Sequence, residues 1–206
     1  GHLDRRTQRD GDRRQREPVS TQVDHLVVAA GTLAEGVQWC EATLGITPGP
    51  GGKHPLMSTH NRLFNITSDG FPNAYFEIVA IDPDAPPPGR ARWFGLDALD
   101  LSRGPRLVTF VARTAALDTT LAASRAAGFD GGRALAASRD TPSGLLRWRI
   151  AVRDDGAVLC SGAMPTLIEW GERHPATSMP ASGVGLRSLV LRGVPCAALE
   201  MAQATF

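Results

Sequence analysis

The sequence has no long apolar run, no marked excess of either charge and almost no lysine. No stretch approaches the roughly 18 consecutive apolar residues that a membrane-spanning helix needs. No basic-then-apolar leader opens the chain, so neither a membrane span nor a secretory signal is expected. The formal net charge is only +1, which argues against a dedicated nucleic-acid surface, because such surfaces carry a basic excess. Of the 22 basic residues only Lys53 is a lysine, which reads as a compositional bias and not as a functional feature. Cys40, Cys160 and Cys196 are odd in number, far apart and without metal-type spacing. They fit a reduced, cytoplasmic compartment better than a disulfide framework. Cys40, inside a predicted helix, reads as buried packing.

What is present is ordinary globular material. The 206 residues are 42% apolar and 21% charged, enough for one or two domains with a real core. Residues 1–20 stand apart: they are charge-rich, hold one large apolar residue (Leu3) and read as a disordered tail, with Gly1-His2 as a cloning remnant. An Arg-rich arm for nucleic acid is the alternative, weakened by the acidic residues interleaved with the arginines.

From Val23 to Ala30 the chain is β-branched and bounded by Gly31, which predicts a strand. Thr32 then reads as an N-cap with Glu35 completing a capping box. Leu33, Val37, Cys40 and Leu44 recur at helical spacing, and Gly45 ends the helix. The run from Pro48 to Pro55 is so rich in Gly and Pro that it predicts a loop. Strands are predicted over Thr59–Thr67 and Ala74–Ile81, then a Pro-rich connector over Asp82–Arg90 and a short helix or irregular turn over Trp93–Leu101. The order then repeats: a strand over Arg106–Ala112, a helix over Leu117–Ala127, and strands over Gly132–Ala137, Leu145–Arg153 and Thr166–Trp170. Residues 23–81 and 106–170 are read as sharing one strand–helix–strand–strand–strand order, although only two strands are assigned after the first helix. A third start, a strand over Gly185–Arg192 and a helix start over Ala197–Ala204, makes 176–206 a C-terminal extension or a partial third unit.

Paired βαβββ modules resemble the vicinal oxygen chelate superfamily, and within it the glyoxalase-like domain family. The likeness rests on Val23-Asp24-His25-Leu26-Val27-Val28, on Gly49-Pro50-Gly51-Gly52-Lys53-His54-Pro55 continuing through Thr59-His60-Asn61, on Tyr75-Phe76-Glu77 leading into Ile81-Asp82-Pro83-Asp84, and on Ile168-Glu169-Trp170. It implies an α+β fold over residues 21–175, with two modules curled into a barrel-like cup. It also implies a divalent metal, held by residues on the first and last strand of each module. Carried over by position, the ligands are His25, Glu77 and Glu169, with the carboxylates also as catalytic groups. Thr109 stands at the fourth position and is a poor ligand. Such a set suits Zn, Mn, Fe or Ni, and an open position would polarise two neighbouring substrate oxygens.

Strand alternation lends weight to these positions. His25 shares a face with Val23, Val27 and Ala29, and Glu77 with Tyr75, Val79 and Ile81. A carboxylate on such a face is costly unless paired or metal-bound. The alternative readings are structural: a hydrogen-bonded core histidine at 25, and an ion pair from Glu169 to Arg147, Arg149 or Arg173. Lys53, His54, His60 and Asn61, in and after the Gly-rich run, are candidate substrate-binding residues. That run lacks the spacing of a nucleotide phosphate loop. His174 is a further candidate, and Trp39, Trp93, Trp148 and Trp170 read as core or module-interface anchors.

Two functions follow from the resemblance, with a fold retained for assembly and holding no ligand as a third reading. One is a metal-dependent lyase or isomerase acting on a small oxygen-rich substrate in the cup. The other is a metal-free protein of the same fold that binds or sequesters a small ligand. The expected partner is a small molecule, with a homodimer left open, and neither nucleic acid nor a membrane.

Overall fold

The computed structural model describes residues 20–194. The predicted tail before Ser20, Cys196 and the helix start at Ala197–Ala204 lie outside the described residues.

The first strand, β1 (Thr21–Ala29), is followed by helix α1 (Leu33–Leu44). Both ends of α1 are closed as the sequence implies. Thr32 Oγ1 accepts the Glu35 N–H, Glu35 returns a carboxylate oxygen to the Gly31 N–H, and Gly45 adopts a left-handed φ of 69°. Three strands complete the module: β2 (Gly49–His54), β3 (Thr59–Asn65) and β4 (Tyr75–Ile81). The second module repeats the order with β5 (Arg106–Thr114), α2 (Leu117–Ala126), β6 (Arg133–Arg139), β7 (Leu146–Val152) and β8 (Thr166–Trp170).

The eight strands form one curled, half-barrel sheet in the order β2-β3-β4-β1-β5-β8-β7-β6. Each module has the same internal arrangement, with its first strand parallel to its last. The antiparallel β1–β5 pair joins the halves. The fold is α+β, as expected.

Two clusters divide the core. On the helix-covered face Val28, Phe64, Phe76, Ile78 and Phe110 pack with Cys40, Leu117 and Leu121. On the inner face Val27, Val79, Val111, Trp148, Ile150 and Ile168 pack with Trp93 and Phe94. The last two come from a 3-10 segment, Trp93–Ala98, in the connection between modules. Helix α1 lies so close to the sheet at Gly36 that an added Cβ would fall 2.4 Å from Ile78 Cγ2.

Three sequence expectations need correction. The Gly- and Pro-rich run is an edge strand and not a loop: Gly49–His54 pairs with β3 on one side only, where a missing Pro50 N–H is tolerated. At Gly51 a Cβ would meet Asn61 O at 2.2 Å, so this close pairing needs glycine. Val23 does not share the face of His25. The register passes from Val23 opposite Ala112 to His25 opposite Val111, so Asp24 is the extra residue of a β-bulge and Val23 joins the helix-side cluster. Residues 185–192 form no strand. They run extended over the helix-side core, the Leu186 N–H donating to Ile66 O while Leu186, Leu189 and Leu191 pack against that cluster. Among the described residues no helix is long and apolar enough to cross a membrane.

Candidate functional site: an ionic trio in the cup

The inner face of the sheet encloses a cup whose two halves differ. Module one contributes polar groups: His25 from β1, His54 from β2, Asn61 from β3, and Tyr75 and Glu77 from β4. Module two contributes Trp148 and Ile150 from β7, Ile168 and Trp170 from β8, and the side chain of Arg139 at the end of β6. Leu63, Trp93 and Phe94 complete the lining.

At the floor, His25 stands between two carboxylates. Its Nδ1 donates to Asp24 Oδ1 at 2.6 Å and its Nε2 lies 3.4 Å from Glu77 Oε2. All three side chains are buried. The ring of Tyr75 stacks on the imidazole at 4.4 Å. Burial alone would lower the pKa of His25, but the hydrogen bonds and charges of Asp24 and Glu77 outweigh it and raise the pKa to about 9. His25 is therefore an imidazolium at neutral pH. Burial likewise works against Asp24 and Glu77 as anions, yet both are held below their usual range, Asp24 by His174 and His25, and Glu77 chiefly by His25.

The bulge makes this trio. It turns Asp24 toward His25, and behind them Asp24 Oδ2 accepts from Trp170 Nε1 at 3.0 Å and His174 Nε2 at 2.8 Å, with Arg113 Nη1 at 3.7 Å. His174 Nδ1 accepts the Ala176 N–H, which fixes the proton given to Asp24 on Nε2.

Asn61 organises the wall. Its amide nitrogen donates to Glu77 Oε1 at 2.6 Å and reaches His54 Nε2 at 3.3 Å. Its oxygen accepts from the Gly52 N–H at 2.8 Å and Arg139 Nη1 at 3.1 Å. His54 Nε2 is thus an acceptor, and its Nδ1–H pairs with Thr59 Oγ1 at 3.1 Å. Burial holds the pKa of His54 down to about 4, so it is neutral. Among the described residues that line the cup, two buried donors find no partner: the Trp93 Nε1–H and the Arg139 Nε–H.

A glyoxalase-like domain model matches residues 23–204, most of the chain and including the C-terminal segment. The chain belongs to the glyoxalase-like domain family. No curated protein matches it. Among solved structures, Streptomyces coelicolor methylmalonyl-CoA epimerase is 20% identical with a TM-score of 0.44, over 74% of this chain and 94% of that one. The Mycobacterium tuberculosis epimerase is 16% identical, with a TM-score of 0.42 over 72% and 85%. A hypothetical protein from Staphylococcus aureus is 15% identical, with a TM-score of 0.52 over 77% of this chain and 62% of that one. At these identities the likeness concerns the fold alone.

The residues of this glyoxalase-like domain do not fit the metal that its superfamily suggests. His25 and Glu77 are brought together, but His25 commits both ring nitrogens to carboxylates. Glu169, expected as the third ligand, is on the opposite face of the sheet. Alternation along β8 sends Ile168 and Trp170 into the cup, whereas Glu169 accepts from the Leu117 N–H at 2.9 Å and Arg149 Nη1 at 3.2 Å. It caps α2 and forms the structural ion pair that was its alternative reading. The Thr109 hydroxyl is directed at the carbonyls of Gly162 and Met164. Among the described residues no three His, Cys, Asp or Glu side chains are grouped to hold a metal.

Of the candidate substrate-binding residues, His54 and Asn61 line the cup. Lys53 and His60 do not: Lys53 pairs with Asp82 at 2.8 Å on the outside, and His60 alternates away from Asn61 on β3. Sequence reasoning missed Asp24 and Arg139. Asp24 would have required foresight of the bulge. Arg139 reaches Asn61 only because the far edge of the second module curls toward the first.

Proposed function

We propose that this glyoxalase-like protein works without a metal and binds a small oxygen-rich ligand at the mouth of the cup between its modules, where Leu63 and Arg139 join the cup to the space outside it. The observation that carries this reading is the position of His25. Its two ring nitrogens are taken by Asp24 and Glu77 and so are not free for a metal, and module two offers aromatic and aliphatic groups where further ligands would stand. The unpartnered donors of Trp93 and Arg139 favour a ligand rich in acceptor oxygens, because buried donors are normally satisfied. Glu77, Asn61 and His25 form the polar end of the site, and Trp148, Ile150, Ile168 and Trp170 the apolar end.

The metal-dependent lyase or isomerase reading implies donors from both modules, and among the described residues module two lines the cup with no His, Cys, Asp or Glu. Elemental analysis of protein purified without chelators tests the choice. The expected result is far less than one divalent metal per chain, with thermal stability unchanged by a chelator. Near-stoichiometric metal that disappears in His25→Ala would overturn the metal-free reading.

A further inference from the structure

Outside the cup lies a larger groove with about 770 Å³ of free volume, within the usual range of small-molecule sites. The cup itself leaves about 30 Å³, room for little more than a water. Leu63 and Arg139 line both spaces. The groove runs between the start of β2, the turn after β6 and residues 173–182. Its wall carries Arg139 and Arg173 and, among the described residues, no Asp or Glu. Ile46, Phe64, Leu146 and Met179 supply apolar surface.

Arg139 is the key group. It forms no ion pair among the described residues, and its single hydrogen bond runs from Nη1 to Asn61 Oδ1 at 3.1 Å. The Nε–H is buried without a partner, and Nη2 has none either. These two adjacent donors are the side-on fork of the guanidinium, whose spacing matches the two oxygens of a carboxylate. We infer that the groove binds a monocarboxylate with an aliphatic or aromatic body, its carboxylate reaching the Nε/Nη2 fork of Arg139 where groove and cup meet and its body along the groove. This inference rests on the ligand-binding reading above and extends the ligand from the cup mouth at Arg139 into the adjoining groove. A phosphate would also accept from an arginine, but two parallel donors and an apolar wall favour the flat, singly charged group.

The test is calorimetric titration of the full chain with octanoate, octanamide and octyl phosphate. Octanoate is expected to bind at least about tenfold tighter than octanamide or octyl phosphate, as expected when a charge-assisted fork meets its matching anion. Arg139→Gln should abolish that preference, and Arg139→Lys, which keeps the charge but not the fork, should not restore it. Ala181→Trp leaves the Arg139–Asn61 bond intact and should block octanoate by filling the groove. Equal binding of acid and amide, unchanged octanoate affinity in Arg139→Gln, or tighter binding of octyl phosphate would each overturn the carboxylate inference while leaving a metal-free ligand site standing. Stoichiometric metal in the purified protein would instead overturn the ligand-binding reading itself.

Discussion

Asp24 accepts a hydrogen bond from His174 at 2.8 Å across a separation of 150 residues, while its other oxygen holds His25, the next residue in the chain. One fully buried carboxylate thus ties β1 to the segment after β8 and orients the imidazole at the cup floor. Removing one partner of a buried ion pair strands the other charge, at a cost of about 3–5 kcal/mol. Asp24→Asn should lose stability on that scale in urea unfolding. His174→Gln removes one hydrogen bond of several and should cost less, about 1–3 kcal/mol. Equal losses for the two would show that Asp24 does not hold His25.

The two cup histidines should give stability a maximum near neutral pH. His25 is raised from 6.5 to about 9, so its contribution is complete below 6.5 and disappears as pH rises through 9. His54 is lowered from 6.5 to about 4. Below 6.5 the unfolded chain takes a proton that folded His54 refuses, so stability falls as pH drops toward 4. Each limb is worth on the order of 3 kcal/mol from shifts of this size. Urea midpoints measured from about pH 4 to 9 should trace both limbs, and His54→Gln should flatten only the acid one.

Helix propensity and tertiary packing make opposite predictions at Gly36. In an open helix, Gly→Ala stabilises by about 0.5–1 kcal/mol. Here the new methyl would sit 2.4 Å from Ile78 Cγ2, so Gly36→Ala should destabilise instead, by about 1–3 kcal/mol. Combining it with Ile78→Ala should cost less than the sum of the two single changes in a double-mutant cycle.

The two carboxylates once expected to share a role should separate cleanly. Glu169→Ala removes the acceptor at the first turn of α2 and a partly exposed partner of Arg149, costing about 1 kcal/mol of stability. Octanoate affinity should not change. Glu77→Gln should alter affinity, because it removes one of the two anions that hold His25 and perturbs Asn61 beside Arg139. Calorimetry on both variants, alongside unfolding curves, distinguishes the outcomes.

The sequence by itself determined the order of elements apart from β2, and the two-module repeat. These depend on local signals: the Thr32–Glu35 cap, Gly45 after the last helical residue, and alternation along β4 that sets Tyr75, Glu77 and Val79 on one face. It also singled out His25, His54, Asn61 and Glu77. The tertiary structure decided what that set does. A bulge at Asp24, invisible to a strict two-residue period, brought a second carboxylate to His25. The actual parity of β8 in the sheet carried Glu169 to the helix side. Curling of the sheet placed Arg139 on Asn61, 78 residues away. Periodicity shows which residues share a strand face, but bulges and sheet closure depend on long-range pairing, and here they moved Glu169 away from His25 and Glu77 and brought Asp24 and Arg139 to them.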